Sequence, residues 1–289
     1  MDPVSVANLV VAGVLTGLVY GLMALGLSVI FGVVRVVNFA HGEMMTIAMY
    51  AAVVLFAALG LDPFLAIVPV AAAFFVFGYA LQAALINPFI TRPEHSQFML
   101  LVAVAIIMVN ALLMIFGPDA RNIQLDYLLE SIELGPLLLD RGKLYAAVVA
   151  CVTAGLLFAF FKFTRTGTAI RACADNHLGA RVVGLNVKRY YAFTFGLGAA
   201  CVAVAGCMMC LLVDVTPVLG PAYTLLAFVI VIVGGLGSMG GALLGGVLIG
   251  VSEALAGLFI APSAKSMFSF ALLILVLLFR PQGLLGKRT

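Results

Sequence analysis

The 289-residue chain is very apolar, since hydrophobic residues make up 65% of it and charged residues 9%, whereas soluble domains have about 45–50% and about 25%. This composition excludes an ordinary soluble protein and predicts an all-α polytopic membrane protein. The net charge of +3 does not indicate a nucleic-acid partner, because such binding needs a basic face with aromatic residues. No long polar linker divides the chain, so residues 1–289 are expected to form a single transmembrane domain.

The first apolar segment covers about residues 4–30. Gly13, Gly17 and Gly21 recur in it at four-residue spacing, which places them on one helix face and permits close packing against another helix. No basic region precedes the segment and no small-residue cleavage site precedes a polar stretch. We therefore expect this helix to be retained rather than removed as a signal peptide.

A polar interruption follows at residues 31–45, with hardly any ordinary loop composition. Its polar residues are Arg35, Asn38, His41 and Glu43. One interpretation is a broken or re-entrant element that lines a cavity, because irregular backbone at membrane depth needs protein or water partners. The other is a short cytoplasmic turn in which Arg35 marks the inner side. Spacing alone leaves both open.

Further apolar segments are expected at about residues 44–59, 64–86, 97–116, 144–161 and 192–213. Asn110 is the polar residue inside the fourth segment, where hydrogen bonding between helices is its commoner role. The stretch 117–143 is rich in acids, including Asp119, Asp126 and Glu133. It is expected to be a periplasmic loop, because the positive-inside rule keeps short basic loops in the cytoplasm and does not restrict acidic loops.

The longest polar stretch, residues 162–191, has six of the fifteen basic residues and one acid. A short loop this basic should face the cytoplasm. It is expected to contain a short helix with Thr166 or Thr168 as its cap and Gly184 as its stop signal. Small residues recur at roughly helical spacing and leave one face thin enough for a partner, at Ala169, Ala172, Cys173, Asn176 and Ala180. The alternative is an amphipathic connector with solvated charges.

A second break is expected at the glycine-rich stretch 234–241, between apolar runs that together cover 223–258. It echoes the break at 31–45, and two interrupted segments, one in each half, indicate a repeat architecture whose transport path lies near the interruptions. A glycine-rich turn between two close-packed helices is the other interpretation. Glu253 follows within an apolar run, where a lone carboxylate is a functional candidate.

The loops predict a consistent orientation. Basic loops at 87–96, 162–190 and 280–289 alternate along the chain with acidic or neutral ones at 60–63, 117–143 and 214–222. If the basic loops are inside, the amino terminus lies outside and the carboxyl terminus inside. The count is eight or nine membrane elements, depending on whether the glycine-broken pieces cross fully.

Motifs for metal, nucleotide or catalytic chemistry are not found. Cys207 and Cys210 have CxxC spacing inside an apolar run without neighbouring His or carboxylate, so no metal site is expected. The three histidines are scattered over different loops, and the sequence contains neither HExxH nor GxxxxGK[ST]. An intramembrane enzyme is therefore poorly supported, and the chain is not expected to hold an ATP site.

Several motifs in the expected order resemble one transporter family. They are Tyr20-Gly-Leu-Met-Ala-Leu-Gly-Leu27, Asn38-Phe-Ala-His-Gly-Glu43, Arg171-Ala-Cys-Ala-Asp-Asn176, Gly184-Leu-Asn-Val187 and Gly234-Gly-Leu-Gly-Ser-Met-Gly-Gly-Ala242. Together they resemble the branched-chain amino acid permeases of bacterial ABC importers, the Liv-type family, and its shorter, LivH-like type. The resemblance covers nearly the whole chain and is weakest in the outer loop.

The resemblance implies a permease in the bacterial inner membrane, with residues 165–188 as a cytoplasmic coupling helix docked on an ATPase. The implied coupling residues are Arg171, Ala172, Ala174, Asp175, Asn176, Ala180 and Gly184. The residues implied to line the path or brace its broken helix are Asn38, His41, Gly42, Glu43, Gly234, Gly235, Gly237, Ser238 and Gly240. Bracing by mutual contacts of Arg35, His41 and Glu43 is at least as well supported as ligand contact.

The implied partners are a second, LivM-like permease, two ABC ATPase subunits that hold ATP and Mg²⁺, a periplasmic solute-binding protein, a small solute and membrane lipid. No cofactor is expected in this chain. The solute would be a branched-chain amino acid or a related amino acid, amide, urea or small organic acid. A cation-coupled secondary transporter is the alternative function, with Glu43, Asp214 and Glu253 as its coupling sites.

Overall fold

The computed structural model describes residues 3–125, 127, 130–135, 137–259 and 265–286. Asp126 and the tail residues 287–289, to which predictions were attached, lie outside these residues. Eight helices in the described part are long and apolar enough to cross a membrane, and the shorter apolar helix Ser266–Phe279 accompanies them. This agrees with the expected eight or nine membrane elements and confirms an all-α polytopic membrane protein.

The helices follow the order expected from the apolar segments, with a small hairpin between the fourth and fifth. They are α1 Pro3–Val34, α2 His41–Leu59, α3 Pro63–Leu81, α4 Glu94–Phe116, α5 Arg141–Phe163, α6 Arg165–Asp175, α7 His177–Val182, α8 Val187–Met209, α9 Gly220–Gly234, α10 Met239–Phe259 and α11 Lys265–Phe279. Strands β1 Ser131–Leu134 and β2 Leu137–Asp140 pair antiparallel. The sequence did not indicate this hairpin.

Local chemistry explains several helix ends. Asp62 caps α3, because its side chain accepts a hydrogen bond from the Phe64 N–H at 2.9 Å, and Pro63 occupies the first turn, where no intrahelical donor is needed. Gly60, with φ of 63°, ends α2 in the left-handed conformation. Arg35 takes φ of 58° directly after α1, so the chain leaves the helix there without a glycine.

Two ends of the bundle can be distinguished by their loops. The hairpin end includes Asp62 and Tyr127, which are hydrogen-bonded, and Asn8, whose side chain accepts from the Leu138 N–H at 3.0 Å. The basic end includes α6 and α7. Asn87 joins it by donating from Nδ2 to the carbonyl oxygen of Lys188 at 3.3 Å. The predicted basic and acidic loops are thus segregated to opposite ends.

Helices α1 and α8 form the centre of the bundle. In the membrane-spanning stretches of α1 and α8, 78% and 83% of the residues are buried, against 22% in that of α4. They cross where two glycines meet: a Cβ on Gly26 would lie 2.6 Å from the carbonyl oxygen of Gly198, and a Cβ on Gly198 would lie 2.8 Å from that of Gly26. Any larger residue at this crossing would force the two central helices apart.

The predicted glycine face of α1 packs against α10. A Cβ on Gly17 would lie 2.7 Å from Val247, and one on Gly13 would lie 2.9 Å from Gly250 and Ala254. The contacts run antiparallel, and Gly246 and Gly250 of α10 face α1 in return. The prediction that Gly13, Gly17 and Gly21 form one close-packing face is confirmed.

The packing is repeated in the two halves of the chain. The most extensive contacts join α1 to α10 and α3 to α8, so each half of the chain supplies one helix to each pair. The two pairs are equivalent when α1 is matched with α8 and α3 with α10. In each half a long helix (α1 or α8) is followed by an irregular segment and a shorter helix (α2 or α9). This arrangement is that of a repeat, but its second irregular segment is residues 210–219 and not the predicted stretch 234–241.

The two shorter helices run in opposite directions. The two helices start side by side, because the Gly42 N–H at the start of α2 donates to Thr224 near the start of α9. Helix α2 then runs towards Asp62 at the hairpin end. Helix α9 runs towards Gly237 at the basic end, where a Cβ built on Gly32 of α1 would lie 3.2 Å from Gly237. Because the two helices run in opposite directions, the repeat is inverted. At about 1.5 Å per residue α9 alone is about 22 Å long, and it reaches the length of a membrane-crossing helix only together with the preceding turn Pro217–Leu219.

Candidate functional site: a junction of two helix N-termini

The N-termini of α2 and α9 meet inside the bundle rather than at its surface. His41, the first residue of α2, bonds to the carbonyl oxygen of Met23, and about 16 Å of helix separates Met23 from the end of α1 at Val34. Residues 35–40 therefore turn back into the bundle, which their length allows at about 3.3 Å per residue. The polar interruption is a buried connection and not a turn at the end of the bundle.

Glycine allows the two N-termini to touch. An added Cβ on Gly42 would collide with the Gly220 carbonyl oxygen and with Thr224, and one on Gly220 would lie 2.9 Å from Cγ of Glu43. Real Cβ atoms do not approach other heavy atoms this closely. Gly42 and Gly220 thus determine how closely the two shorter helices can join.

Thr224 is the polar link across this junction. Its Oγ1 accepts a hydrogen bond from the Gly42 N–H at 2.8 Å and donates to Oε2 of Glu43 at 2.9 Å. The Gly42 N–H is one of the N-terminal donors of α2 that no helical carbonyl can satisfy. One hydroxyl group on α9 therefore satisfies a backbone donor and a carboxylate oxygen of α2, and all three groups are almost fully buried.

Glu43 places a carboxyl group from the chain itself at the paired helix ends. Each helix N-terminus carries a partial positive charge, which favours a negative group there. In transporters with broken helices such ends point at the anionic group of the solute. Here the Glu43 carboxylate, 3% exposed, lies against the first turn of α9, so the geometry is that of a brace between helices.

The other polar residues of the interruption also have partners within the protein. The Asn38 side chain accepts from the Ala40 N–H at 3.1 Å and approaches the Met44 sulfur at 3.6 Å. His41 Nε2 donates to the Met23 carbonyl at 2.9 Å, while its Nδ1 has no partner among the described residues. Asn38 and His41 are fully buried.

The expected mutual contacts of Arg35, His41 and Glu43 are wrong. Arg35 is exposed, His41 bonds to Met23, and Glu43 bonds to Thr224. The reason is the left-handed turn at Arg35, which leaves the arginine at the end of α1 while the chain carries the other two residues into the bundle.

Sequence reasoning missed Gly220 and Thr224, although a signal for them exists. Gly42 and Thr46 are four residues apart on α2, and Gly220 and Thr224 are four residues apart on α9. Both pairs open the shorter helix of their half. A search for this small repeat would have placed the second interruption at residues 210–219, directly before α9.

The glycine-rich stretch 234–241 lies elsewhere, at the basic end. It forms the turn between α9 and α10, with φ of 107° at Gly235 and 76° at Gly237, and Ser238 Oγ accepts from the Gly241 N–H at 3.1 Å. Gly234 and Gly241 touch across the turn. This is the second interpretation, a turn between close-packed helices, and the structure does not bring it together with Asn38, His41, Gly42 and Glu43.

A segment near the carboxyl terminus covers this turn. The N–H groups of Leu284 and Leu285 donate to the carbonyl oxygens of Val233 and Gly234, each at 2.9 Å. Gly240 lies 3.8 Å from the Leu285 side chain, measured from an added Cβ. The turn is therefore held from both sides at the basic end.

The predicted coupling stretch forms two helices, α6 and α7, instead of one. Thr164, and not Thr166 or Thr168, caps α6 by accepting from the Gly167 N–H at 2.9 Å. Asn176 ends α6 and caps α7 by accepting from the Gly179 N–H at 2.9 Å. Gly184 has φ of 87° just after α7, as expected of a stop signal.

The predicted coupling residues differ in exposure. Arg171, Ala172, Asp175, Asn176 and Gly184 are exposed, Ala174 is half-buried and Ala180 is buried. Of the predicted thin face, Cys173 and Ala180 instead pack inwards, so that face is partly occupied by the protein itself. Burial raises the pKa of the Cys173 thiol, which leaves it protonated and unreactive.

Exposed apolar side chains stand beside these polar residues. Leu178, Val182 and Val183 are 62%, 87% and 75% exposed, although they lie on α7 and its end, outside the membrane-spanning helices. An exposed apolar patch with a polar rim is typical of a protein interaction surface. We call residues 171–183 at the exposed side of α6 and α7 the docking surface.

The carboxylates of the alternative function do not form one site. Glu43 braces the junction, Asp214 is exposed, and Glu253 accepts from Ser269 Oγ at 2.8 Å between α10 and α11. Among the described residues, no group of three or more His, Cys, Asp or Glu side chains could hold a metal ion. The Cys207–Cys210 pair is buried within α8 and its end.

Comparison with known proteins identifies the chain. Residues 9–277 match the family described as "Branched-chain amino acid transport system / permease component". The chain belongs to this family.

Relatives within this permease family cover almost the whole chain. The chain is 31% identical to "High-affinity branched-chain amino acid transport system permease protein LivH" of Salmonella typhimurium strain LT2, over 95% of this chain and 94% of the relative. It is 33% identical to "High-affinity branched-chain amino acid transport system permease protein BraD" of Pseudomonas aeruginosa, over 96% and 94%. The resemblance stated from the motifs is confirmed, and a secondary carrier is not favoured.

A solved structure shares the fold of this permease. It is titled "PsaBC from Streptococcus pneumoniae in complex with Fab", and the similarity has a TM-score of 0.51 at 14% identity, over 93% of this chain and 91% of that one. At this identity the likeness supports the fold alone. As a permease component, the chain is not itself a catalytic enzyme.

Proposed function

We propose that this chain is the permease subunit of an ATP-driven importer for branched-chain amino acids or related small polar solutes. Family membership carries the proposal, and the relatives named as branched-chain amino acid permeases support the solute class. Related amino acids, amides, urea and small organic acids remain within that class. The chain forms the translocation path and performs no covalent chemistry.

The orientation in the bacterial inner membrane follows from charge. The basic end includes Arg165, Arg171 and Arg181 on α6 and α7, and short basic loops stay on the cytoplasmic side. The amino terminus is then periplasmic and the carboxyl terminus cytoplasmic. The hairpin end, with strands β1 and β2, faces the periplasm and receives the solute-binding protein.

The docking surface takes one of two ABC ATPase subunits. Its exposed Leu178 and Val182 supply the apolar contact, and Arg171 and Asp175 supply charge at the rim. ATP and Mg²⁺ are held by the ATPase subunits, since the sequence has no phosphate-binding loop. A second permease of the LivM-like type completes the membrane part of the complex.

Movement of the docking surface reaches the centre of the bundle through backbone contacts. Gly167 of α6 packs so closely on α5 that an added Cβ would lie 2.7 Å from Cα of Phe161, and α6 also contacts α1 and α8. ATP-driven closure of the ATPase subunits would displace α6 together with α5. Because α1 and α8 cross at Gly26 and Gly198, a displacement of α6 would reach the centre of the bundle through its contacts with both helices.

The test replaces Asp175 with alanine in the assembled complex. Loss of one interfacial charge contact should weaken ATPase association about tenfold, equivalent to about 1.4 kcal/mol, and should reduce solute-stimulated ATP hydrolysis. Glu94→Ala is the matched control, because Glu94 is exposed near the basic end but lies outside α6 and α7. Unchanged assembly and unchanged stimulated hydrolysis in Asp175→Ala would contradict the coupling role.

A further inference from the structure

A cavity of about 350 Å³ lies at the basic end between α5, α6 and the start of α10. Apolar side chains, among them Phe158 and Met239, form most of its wall. Two cations, Lys162 of α5 and Arg171 of α6, also line it. The cavity is separate from the buried junction at Gly42 and Gly220, and the transport function does not account for it.

The floor of the cavity is a groove along α5. Gly155, Ala159 and Lys162 lie on one face of the helix, since they are four and three residues apart. A Cβ added at Gly155 would meet no described atom within 4 Å, so the small side chains leave open space beside the helix. The groove follows the outer surface of a membrane-spanning helix and ends at the lysine.

The two cations at the end of the groove have no anionic partner in the part of the chain that the structure describes. Among the described residues, the ion pairs involve Arg141 with Glu130 and Lys143 with Asp140, and neither includes Lys162 or Arg171. Arg171 makes a weak contact with Thr168 Oγ1 at 3.4 Å, and Lys162 Nζ lies 5.3 Å from the centre of the Phe163 ring. Both ammonium and guanidinium groups therefore keep most of their donors for a ligand.

We propose that this cavity binds an anionic phospholipid, with one acyl chain in the groove over Gly155 and Ala159 and the phosphate between Lys162 and Arg171. The ligand chemistry follows from the combination of an apolar groove on a membrane helix with two unpaired cations at its end. Basic pockets between helices at the cytoplasmic side of a membrane bind anionic lipid headgroups. A free phosphate would use the cations but not the groove.

The lipid would contact two elements of the basic end, a membrane helix and the helix that bears the docking surface. Lys162 belongs to the membrane helix α5, whereas Arg171 belongs to α6, which bears the docking surface. A phosphate held by both would tie the docking surface to the membrane at its edge. This inference shares Arg171 with the rim of the docking surface, and its test therefore varies Lys162, which lines the cavity but lies outside the docking surface.

The test measures lipid retention by the assembled complex in nanodiscs of phosphatidylcholine containing phosphatidylglycerol. Native mass spectrometry counts the phosphatidylglycerol molecules retained by the wild type and by Lys162→Gln. We expect about fivefold weaker retention in Lys162→Gln, since each basic residue near a membrane surface contributes about that factor. Lys162→Arg, which keeps the charge, should retain the lipid and shows that the site can be varied without loss of folding.

Lys188→Gln is the matched control, because Lys188 is an exposed cation of the same basic stretch that does not line the cavity. Gly155→Leu fills the groove and should also weaken retention. Equal retention by Lys162→Gln and the wild type would overturn the proposal, as would an equal loss in Lys188→Gln. Thermal stabilisation by millimolar inorganic phosphate equal to that by phosphatidylglycerol would assign the cavity to free phosphate and overturn the lipid assignment.

Discussion

The hydroxyl group of Thr224 should be the main polar stabiliser of the junction, and Thr224→Val tests this. Valine has nearly the same shape, so the change removes the hydroxyl but leaves the packing. The Gly42 N–H and Oε2 of Glu43 each lose a buried partner. Hydrogen bonds between membrane helices are worth about 0.6 kcal/mol on average and about 1.7 kcal/mol at most, so two of them predict a loss of about 1–3 kcal/mol.

Thr46→Val is the matched control for Thr224→Val. Thr46 occupies the equivalent position on α2, but its Oγ1 donates to the Gly42 carbonyl of its own helix at 3.0 Å and links nothing across the junction. Removing such a bond should cost little, because a threonine that bonds back to the carbonyl four residues earlier slightly destabilises its own helix.

The assay is the free energy of unfolding of the permease in mixed micelles, from a titration with sodium dodecyl sulfate followed by circular dichroism. Thr224→Ser, which restores the hydroxyl, should recover most of the loss. Equal destabilisation by Thr224→Val and Thr46→Val would refute the reasoning, because it would mean that the contact across the junction contributes nothing beyond a local bond.

Two further predictions concern glycine and helix capping. Gly26→Ala should destabilise the protein by about 1–3 kcal/mol, because the new Cβ would lie 2.6 Å from a backbone oxygen of α8. Gly155→Ala, in open space, should be neutral or slightly stabilising in the same unfolding titration, and similar losses in both variants would contradict the crossing described above. Asn176→Ala removes the cap of α7 and should cost about 1 kcal/mol locally, measured as faster amide exchange in residues 177–182 with unchanged exchange in α8; unchanged exchange in α7 would contradict the cap.

Composition and spacing predicted the membrane helices and one of their faces. Apolar length alone identifies spanning segments, because the hydrocarbon core demands about 20 residues of helix. The spacing of Gly13, Gly17 and Gly21 predicted a close-packing face, and α10 occupies it. Both features depend on the length or spacing of residues within one segment, so they can be predicted without knowing the tertiary fold.

The position of the second interruption could not be obtained in the same way. The glycines at 234–241 form a more prominent motif than Asp214 to Gly220, yet they form a turn at the basic end. A glycine-rich sequence indicates tight backbone contact but not the depth at which the contact occurs. Depth depends on how α8 and α9 pack on α1 and α2, which no local pattern contains.

The partners of the buried polar residues were also beyond local reasoning. Glu43 and Thr224 meet although 181 positions separate them in sequence, so only the tertiary fold brings them together. The family resemblance placed Asn38, His41, Gly42 and Glu43 among functional residues but did not name Thr224. Whether any of them contacts the solute stays a prediction.

The glycine face of α1 has a consequence for assembly during synthesis. Its partner α10 begins only at Met239, so α1 enters the membrane long before the surface that covers Gly13, Gly17 and Gly21 exists. Helix α3 likewise enters the membrane before its main packing partner, α8, has been synthesised. Contacts between such distant segments form late and slowly, and the first half of the chain therefore remains incompletely packed in the bilayer until the second half has been inserted.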